Sequence, residues 1–353
     1  MTLTETDTEI RDITIIGAGP VGLCTAFWAG MREASSRIID SLPEVGGQLT
    51  TLYPEKWIFD VPGHPRVLAK DLVSQLREQI EPFDVPIHLE TTAESISYEG
   101  EGDERIVVLR TTDGRELRSR TVVVSGGHGA FEPKRLPLSD VDMEPWEGKG
   151  VHYLVGDKHE FTNKRVVIVG GGDSACDWVL NLLDTAEHIT LVHRRDAFRA
   201  HEATVSQVRE AAQGPHVDLH TPYVVKEVTG NGEVQGVVLH NAADDEQHSF
   251  AVECDVILLQ LGFSTKLGPL KEWGFELEKN AIKVGPTFET SLERVWACGD
   301  ITTFDGKIKL IATGFGEAAI AVAQAVQTIR PEMKLQPVYS TNSGVPGGVA
   351  GQP

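Results

Sequence analysis

Two short segments carry glycines and charges at spacings suited to nucleotide binding, and the first begins near the amino terminus. It reads Gly17-Ala18-Gly19-Pro20-Val21-Gly22 after an apolar run, and Asp40 follows 23 residues after its first glycine. Glycines at these positions allow a tight turn from strand to helix, where free N–H groups can hold a pyrophosphate. A carboxylate in the position of Asp40 accepts hydrogen bonds from ribose hydroxyls and repels a 2′-phosphate. The segment therefore predicts a dinucleotide without a 2′-phosphate.

The second segment has the same glycine pattern and the opposite charge. It reads Gly170-Gly171-Gly172-Asp173-Ser174-Ala175, and the basic run His193-Arg194-Arg195 follows, with Arg199 close behind. Ala175 takes the place of the last glycine, where a small side chain still lets helix and strand pack closely. Arginines attract a 2′-phosphate through charge-assisted hydrogen bonds. This segment therefore predicts a dinucleotide that carries a 2′-phosphate.

FAD at the first segment and NADPH at the second is the most economical pairing of the two predicted sites. A single glycine turn of this kind is weak support, because tight strand-to-helix connections are common. Here an apolar β-branched run precedes each turn and a helix-compatible run follows, so the context is right twice. A flavin and a nicotinamide in one chain indicate hydride transfer, in which the protein positions the cofactors and tunes the flavin.

Each predicted site needs a strand, a glycine turn, a helix and a return to a neighbouring strand. Each copy of this unit is followed by a stretch that alternates like a β-meander, at Pro86–Leu117 and Val217–Val252. The repetition predicts an α/β fold with two Rossmann-like, three-layer ββα nucleotide-binding domains. The predicted FAD domain comprises residues 1–126 and 290–353, with a carboxyl-terminal extension, and the NADPH domain, residues 127–289, is inserted into it.

Composition limits the partners that this chain is expected to have. The 353 residues carry a formal net charge of −20, which argues against general affinity for nucleic acid or an anionic membrane. The first residues are polar and acidic, unlike a secretory signal. The uncharged run Ile13–Met31 approaches the length of a membrane span, but its glycines and proline indicate a strand, a turn and a helix. We therefore expect a cytoplasmic protein.

The four cysteines, Cys24, Cys176, Cys254 and Cys298, lie far apart and form no Cys-x-x-Cys pair. Widely spaced cysteines in a chain without a secretory signal are typical of buried, reduced thiols. The histidine, cysteine, aspartate and glutamate residues have no spacing typical of a metal site. We therefore expect reduced thiols and no bound metal.

Three segments, Gly299-Asp300, the helix start Thr313-Gly314 and the run His193–Ala200, resemble the thioredoxin reductase structural family. In that family the Gly-Asp carboxylate contacts the ribityl side of the flavin, and the next helix directs its N-terminus at the pyrimidine end of the ring. Thioredoxin reductases pass electrons through a Cys-x-x-Cys pair early in the second nucleotide domain. The corresponding stretch here, residues 171–177, holds Cys176 and no second cysteine. A flavin in this chain must therefore pass electrons directly to an external acceptor.

The chain resembles more specifically the ferredoxin–NADP⁺ reductases of type 2, which are built on the thioredoxin-reductase plan. The similarity extends from Ile13 to about Ser343. Its sharpest segments are Gly46–Leu49, Leu52–Lys56, Asp60–Gly63, Gly129–Pro133 and His193–Glu202. The resemblance implies an FAD enzyme that transfers electrons between NADPH and a one-electron carrier, ferredoxin or flavodoxin. It also implies a homodimer.

The resemblance assigns roles to individual residues. It implies that Tyr53 stacks on one face of the isoalloxazine, that Tyr339 covers the other face, and that Thr341 lies near the reactive nitrogen; these three are the predicted catalytic residues. The remaining FAD contacts that it implies are Asp40 at the adenosine ribose, Gln48 and Phe131 at the flavin, Ala93 at the adenine and Asp300 at the ribityl chain. The alternative is that Tyr53 and Phe131 are core aromatics and that Tyr339 belongs to a frayed tail.

Other functions and acceptors remain open on the residues alone. The alternatives are a thioredoxin-reductase-like NADPH oxidoreductase with another acceptor, a flavin monooxygenase and an NADPH-sensing flavoprotein without turnover. The monooxygenase lacks support because no Phe-x-Gly-x-x-x-His run lies between the two glycine motifs. A quinone or a specialised iron–sulfur protein is a further possible acceptor. Because ferredoxins are typically acidic, their encounter with this chain requires a basic patch, for which the candidates are Lys134, Arg135, Lys307 and Lys309.

Overall fold

The computed structural model describes residues 9–127, 129–133, 144–243 and 248–346. In chain order the strands are β1 (Arg11–Ile16), β2 (Ser36–Ile39), β3 (Trp57–Ile58), β4 (Val67–Leu68), β5 (Ile87–His88), β6 (Ala93–Glu99), β7 (Ile106–Thr111), β8 (Glu116–Val124), β9 (Ala130–Pro133), β10 (Val151–His152), β11 (Arg165–Val169), β12 (His188–Val192), β13 (Val217–His220), β14 (Tyr223–Gly230), β15 (Val234–Asn241), β16 (Ser249–Glu253), β17 (Val256–Leu259), β18 (Phe263–Lys266), β19 (Leu277–Glu278), β20 (Ala281–Lys283), β21 (Val295–Ala297) and β22 (Thr302–Thr303). The α-helices are α1 (Pro20–Met31), α2 (Gln48–Thr51), α3 (Ala69–Ile80), α4 (Asp173–Leu182), α5 (Glu202–Ala211), α6 (Ile311–Ile329) and α7 (Ser340–Ser343).

The chain divides into two compact units. The first comprises Met1–Phe131 and Thr265–Pro353, and the second comprises Glu132–Ser264. Residues 265–289, which we expected in the inserted domain, thus belong to the first unit. The physical reason is local packing: the Trp273 indole donates a hydrogen bond to the Glu94 carbonyl at 3.1 Å, and β20 pairs with β22.

A seven-stranded sheet forms the centre of the first unit. Its order is β5-β2-β1-β8-β7-β6, with β21 also paired to β8. Strands β1, β2, β8 and β21 are parallel, with Ile15 opposite both Ile38 and Val123. These β-branched residues are fully buried, as is typical of parallel strands covered on both faces. Because parallel strands end at the same edge, the residues that follow these four strands lie close together.

The second unit consists of three layers. Its five-stranded parallel sheet has the order β10-β17-β11-β12-β13, and an antiparallel meander has the order β14-β15-β16. Along β11, Val166 and Ile168 belong to the cluster formed with helices α4 and α5, whereas Val167 and Val169 belong to the cluster formed with the meander. Alternate residues of a strand point to opposite faces. The predicted Rossmann-like ββα arrangement is confirmed.

Most predicted elements form, and some are shorter than expected. The sequence predicts a helix over Arg66–Glu81, which forms as α3, and one over Ile311–Ile329, which forms with the same bounds. The predicted strand Leu292–Asp300 contains only the three residues of β21. Arg294 and Gly299 have positive φ angles of 60° and 80°, which interrupt extended backbone on both sides. Among the described residues, no helix is long and apolar enough to cross a membrane.

Candidate functional site

A pocket opens at the edge of the first unit's sheet where the parallel strands end. It contains about 1180 Å³ of empty space, open solvent included. Residues from both parts of the unit line it, among them Gly17, Gly19, Pro20, Asp40, Gln48, Tyr53, Ala93, Ser125, Leu267, Leu270, Gly299, Asp300, Leu310 and Ile311. The structure therefore brings together, in one cavity, most of the residues assigned to FAD from the sequence.

The glycines of the first turn have different physical roles. Gly17 has a φ of 111°, and a Cβ there would lie 2.6 Å from the Ser125 carbonyl oxygen. A Cβ at Gly22 would overlap the Gly17 carbonyl oxygen, so Gly22 allows close packing of helix and strand. At Gly19 a Cβ would meet nothing within 4 Å. The space over Gly19, next to Pro20 at the first position of α1, is thus open to an anion at the helix N-terminus.

Asp40 follows β2 and is only 8 % exposed. Its carboxylate accepts hydrogen bonds from the backbone N–H of Ala18 at 2.6 Å and of Leu42 at 2.8 Å. Burial raises the pKa of Asp40, and the backbone N–H groups oppose that rise. A buried carboxylate that lines the pocket gains from any further donor, and ribose hydroxyls are such donors.

Tyr53, Gln48 and Asp300 line the same pocket. Tyr53 is half-buried, and its pKa is raised mainly by burial and further by the negative charges of Asp300 and Asp60. The Tyr53 phenol therefore remains protonated at neutral pH. An aromatic ring and an amide that face one cavity beside a carboxylate fit the flavin end of FAD.

A wall that the sequence did not predict closes part of the pocket near Ala93. The 3₁₀ helix Gly268–Trp273 packs against β6, and Leu267 and Leu270 are 5 % and 7 % exposed. Ala93 is 5 % exposed and lines the cavity with them. No local pattern marked this segment, because its role depends on its contact with a strand about 170 residues earlier in the chain. These apolar groups suit a flat heterocycle such as adenine.

The second unit repeats the glycine turn between β11 and α4. A Cβ at Gly170 would overlap the Gln260 carbonyl oxygen, and one at Gly171 would overlap the His193 ring. At Gly172, the N-cap of α4, a Cβ would meet nothing within 4 Å. The open position thus again lies at the start of a helix, as at Gly19.

The segment between β12 and α5, residues 193–201, is called the arginine loop here, and it is hydrogen-bonded to this turn. The Arg199 N–H donates to the Gly171 carbonyl at 2.8 Å, and the His201 N–H donates to an Asp173 carboxylate oxygen at 2.8 Å. Arg194, Arg195 and Arg199 are exposed, as are Asp173 and Ser174, whereas Ala175 is fully buried. The loop therefore holds three guanidinium groups close to an exposed helix N-terminus, an arrangement suited to a phosphate.

His193 differs from the arginines with which the sequence grouped it. It is 8 % exposed, and its ring centroid lies 5.1 Å from that of Phe198. Burial lowers the pKa of His193, a hydrogen bond with the Ala197 carbonyl opposes this, and the nearby arginines add to it. Because the ring is neutral at pH 7, His193 supports the loop by packing rather than by charge.

The structure does not bring every predicted residue to the pocket. Tyr339 is 68 % exposed and Thr341 is exposed, and neither belongs to the described residues that line the cavity. The Phe131 side chain, like Lys134 and Arg135, lies outside what the structure describes. Lys307 is buried and forms an ion pair with Glu317, so it is not part of an exposed basic patch.

The four cysteines are buried, reduced thiols. Burial raises the pKa of Cys176 to about 11 and those of Cys24, Cys254 and Cys298 to about 12. A thiol rather than a thiolate is present at each position near pH 7, and the thiolate is the nucleophile. Cys176, early in α4, therefore lacks both the partner cysteine and the ionisation that disulfide exchange requires.

Fold and site together define a two-nucleotide flavoprotein of the thioredoxin-reductase-like class. The solved structures of thioredoxin reductases from Lactococcus lactis and T. acidophilum superpose with TM-scores of 0.71 and 0.70. They are 23 % and 22 % identical to this chain, covering 91 % of it and 99 % and 98 % of their own lengths. At this identity the likeness concerns the fold alone.

Several proteins are much more similar to this chain in sequence than these two structures are. A profile of the pyridine nucleotide-disulphide oxidoreductase family matches residues 11–325. A ferredoxin–NADP reductase of Thermus thermophilus is 48 % identical over 337 residues, and ferredoxin–NADP reductase 2 of Bacillus subtilis is 44 % identical over 336; both comparisons cover 95 % of this chain and 98 % of the relative. The chain belongs to this oxidoreductase family and, within it, to the type 2 ferredoxin–NADP reductases. The cofactors of such enzymes are FAD and NADPH.

Proposed function

We propose that this protein is an FAD-dependent reductase that transfers electrons between NADPH and a one-electron carrier protein, a ferredoxin or a flavodoxin. The observation that carries the proposal is the pocket that unites Asp40, Tyr53 and Asp300 in the first unit. An exposed arginine loop beside a second glycine turn, in the other unit, supports NADPH as the electron donor. The names of the sequence relatives supply the class of acceptor.

In this proposal the first unit is the FAD domain. Gly19, at the start of α1, would leave room for the pyrophosphate of FAD, and Asp40 would accept hydrogen bonds from the ribose hydroxyls. Ala93 and Leu267, which line the same pocket, would pack against the adenine. Gln48, Tyr53 and Asp300 surround the flavin end, and Phe131 keeps the flavin contact that the family resemblance implies.

The second unit is proposed as the NADPH domain. The pyrophosphate of NADPH lies at the open position of Gly172, beside the exposed Asp173 and Ser174, while Gly170 and Ala175 serve the close packing of strand and helix. Arg194, Arg195 and Arg199 hold the 2′-phosphate, and the buried, neutral His193 supports their loop. This division explains why one chain carries a carboxylate at one nucleotide site and guanidinium groups at the other.

The side chains of this protein act by positioning and by excluding water. FAD, when bound, supplies an acceptor for hydride and a donor of single electrons. Tyr53 holds the ring on one face by stacking, and Asp300 fixes its ribityl side. Tyr339 and Thr341 complete the catalytic set on the opposite face, in the role that the family resemblance implies.

With no dithiol beside it, FAD bound in this pocket would pass electrons directly to an external protein. The sequence has no second cysteine near Cys176, and burial keeps that thiol protonated. We also propose a homodimer, with no nucleic acid or membrane among its partners. A cytoplasmic location fits four reduced cysteines, because thiols persist in reducing compartments.

The test is a two-stage kinetic experiment on the purified protein loaded with FAD. NADPH is first mixed with it without oxygen, and bleaching of the flavin absorbance measures hydride transfer. Purified ferredoxins and flavodoxins are then titrated while reduction of cytochrome c is followed. Turnover that depends on the carrier supports the proposal. Rapid bleaching without transfer to any carrier or artificial one-electron acceptor would instead indicate a sensor.

A further inference from the structure

A buried ion pair lies next to the pocket and is used by none of the nucleotide contacts above. Glu317 lies in α6 and Lys307 in the segment that precedes this helix. Their side chains are each 6 % exposed, and the ammonium group contacts the carboxylate oxygen Oε1. Burying two charges is costly, and a pair of apolar side chains at such a place is often as stable or more stable. The pair therefore calls for a role beyond packing.

The Glu317 carboxylate connects two segments of the pocket wall, one at the end of β21 and one before the start of α6. Its Oε2 atom accepts a hydrogen bond from the Gly299 N–H at 2.7 Å, directly before Asp300. Its Oε1 atom holds Lys307, three residues before Leu310. Asp300 and Leu310 both line the cavity. One carboxylate thus secures the end of β21 and the start of α6 with respect to each other.

The backbone around this carboxylate has little freedom to compensate for its loss. Gly299 has a φ of 80°, and a Cβ there would lie 3.2 Å from Val21. A Cβ at Gly314 would overlap Val21 as well. The Thr313 hydroxyl accepts from the Leu310 N–H at 3.3 Å and lies 2.8 Å from the Ile308 carbonyl, to which it can donate. The two segments are closely packed, so their relative position depends on the groups that join them.

We propose that Glu317 and Lys307 are positioning residues for the flavin: they set where Asp300 and the first turn of α6 stand relative to the ring. The inference rests on the proposed function, because it takes the flavin end of FAD to bind beside Tyr53 and Asp300. The adenosine end of FAD, at Asp40, is held separately. Loss of the ion pair is therefore expected to change the rate at which the bound flavin reacts much more than the affinity of the protein for FAD.

The test compares Glu317→Gln, Lys307→Met and the double variant with a matched pair elsewhere in the first unit. Gln has the shape of Glu but no charge, so it keeps an acceptor for the Gly299 N–H and loses the ion pair. The matched pair is Lys283 and Glu276, which form an ion pair while 52 % and 61 % exposed. Lys283→Met, Glu276→Gln and their combination change the same residue types without touching the pocket.

Four quantities are measured for each variant: the affinity for FAD, the visible spectrum and midpoint potential of the bound flavin, the rate of anaerobic reduction by NADPH, and amide exchange at Gly299 in the protein without FAD. For each single variant at the buried pair we expect reduction at least about tenfold slower, since small misplacements have effects of this size or larger. We expect a shifted potential and spectrum, faster exchange at Gly299, and FAD affinity within about threefold of wild type. The double variant, which leaves no unpaired buried charge, recovers part of the rate, as expected for coupled residues.

Wild-type rate, potential and spectrum in both single variants would overturn the proposal, as would a loss of rate that matched the loss of bound FAD. If a single variant does not retain FAD, the charge-free double variant decides by the same criteria: an altered potential supports the proposal and an unaltered one overturns it. The three surface variants keep the wild-type values. None of these readouts involves a carrier protein, so failure to find a ferredoxin partner would affect the proposed function and leave this inference standing.

Discussion

At the scale of single residues, charges of opposite sign follow corresponding strands of the two units. Asp40 directly follows β2, the strand next to β1, and Arg194 is the second residue after β12, the strand next to β11. In each unit the glycine turn follows one strand of a parallel pair. The residues that follow the neighbouring strand therefore lie at the same edge of the sheet as the helix N-terminus. A charge at this place decides which ribose is accepted.

Replacement of Arg194 and Arg195 by glutamine is expected to weaken NADPH at least about tenfold more than NADH. A hydrogen bond to a charged group contributes about 1.5–3 kcal/mol, and each 1.4 kcal/mol is about tenfold in affinity. The measurement is KM for both nucleotides in a cytochrome c reductase assay. Arg209→Gln, an exposed arginine on α5 of the same unit, is the control and leaves both values unchanged. An equal loss of affinity for NADPH and NADH would show that the two arginines do not bind the 2′-phosphate.

Asp40→Asn is expected to weaken FAD and to remove most of the pH dependence of its binding. Burial raises the pKa of Asp40 in the FAD-free protein, so protonation begins at a higher pH than for an ordinary aspartate. Because the ionised carboxylate is the better acceptor for ribose hydroxyls, wild-type affinity falls as the pH is lowered through that raised pKa. Fluorescence quenching of FAD at a series of pH values measures this. A wild-type affinity that stays constant on acidification would contradict the assignment.

At the scale of elements, each strand–turn–helix unit separates glycines that serve packing from a glycine that serves the ligand. At Gly22 and Gly170 a side chain would clash with the backbone of the protein itself. Gly19 and Gly172 face open space at the start of a helix. The same pattern in both units reflects a shared requirement: the sheet and helix must approach closely, and an anion must approach the helix.

This division predicts opposite outcomes for two substitutions in one turn. Gly19→Ala is expected to leave the stability of the FAD-free protein within about 1 kcal/mol of wild type, because its φ of −72° suits alanine, and to weaken FAD strongly. Gly22→Ala is expected to destabilise the protein itself by about 1–3 kcal/mol or more, since the new Cβ overlaps the Gly17 carbonyl. Urea unfolding and FAD titration measure the two effects. Equal destabilisation by both would contradict the separation of roles.

At the scale of the whole molecule, charge governs the encounter with a carrier. The chain has a formal net charge of −20, and an acidic carrier is repelled by it at long range. Lys307, one of the basic residues considered for docking, is buried in its pair with Glu317. Attraction must therefore come from local groups, while the molecule as a whole opposes approach.

We accordingly expect the rate constant for reduction of an acidic ferredoxin to rise when salt is added to a low-salt buffer. Salt shortens the Debye length from about 30 Å at 0.01 M to about 8 Å at 0.15 M, which screens the net repulsion. Stopped-flow mixing of the pre-reduced enzyme with ferredoxin measures the rate, and a neutral quinone serves as the uncharged control. A rate that falls with salt would instead indicate that a basic docking patch dominates.

The sequence alone was enough to predict what depends on neighbours along the chain. Glycine turns, the strands and helices that flank them, and the charges at Asp40 and Arg194 follow from local backbone geometry and spacing, so these elements and the Rossmann-like class were predicted correctly. The absence of a second cysteine near Cys176 likewise follows from the sequence alone. Which nucleotide each site takes remains a proposal derived from the same local signals.

Only the tertiary structure decided what depends on contacts between distant segments. It assigned residues 265–289 to the first unit and made Leu267 and Leu270 a wall of the pocket. It enclosed His193, which the sequence grouped with the arginines of the nucleotide site, and Lys307, a candidate for the docking patch, which pairs with Glu317. The physical reason is that burial, and with it charge state and hydrogen bonding, is set by which strands pair and which faces pack. Spacing along the chain determines a turn, but the approach of segments more than a hundred residues apart determines what surrounds it.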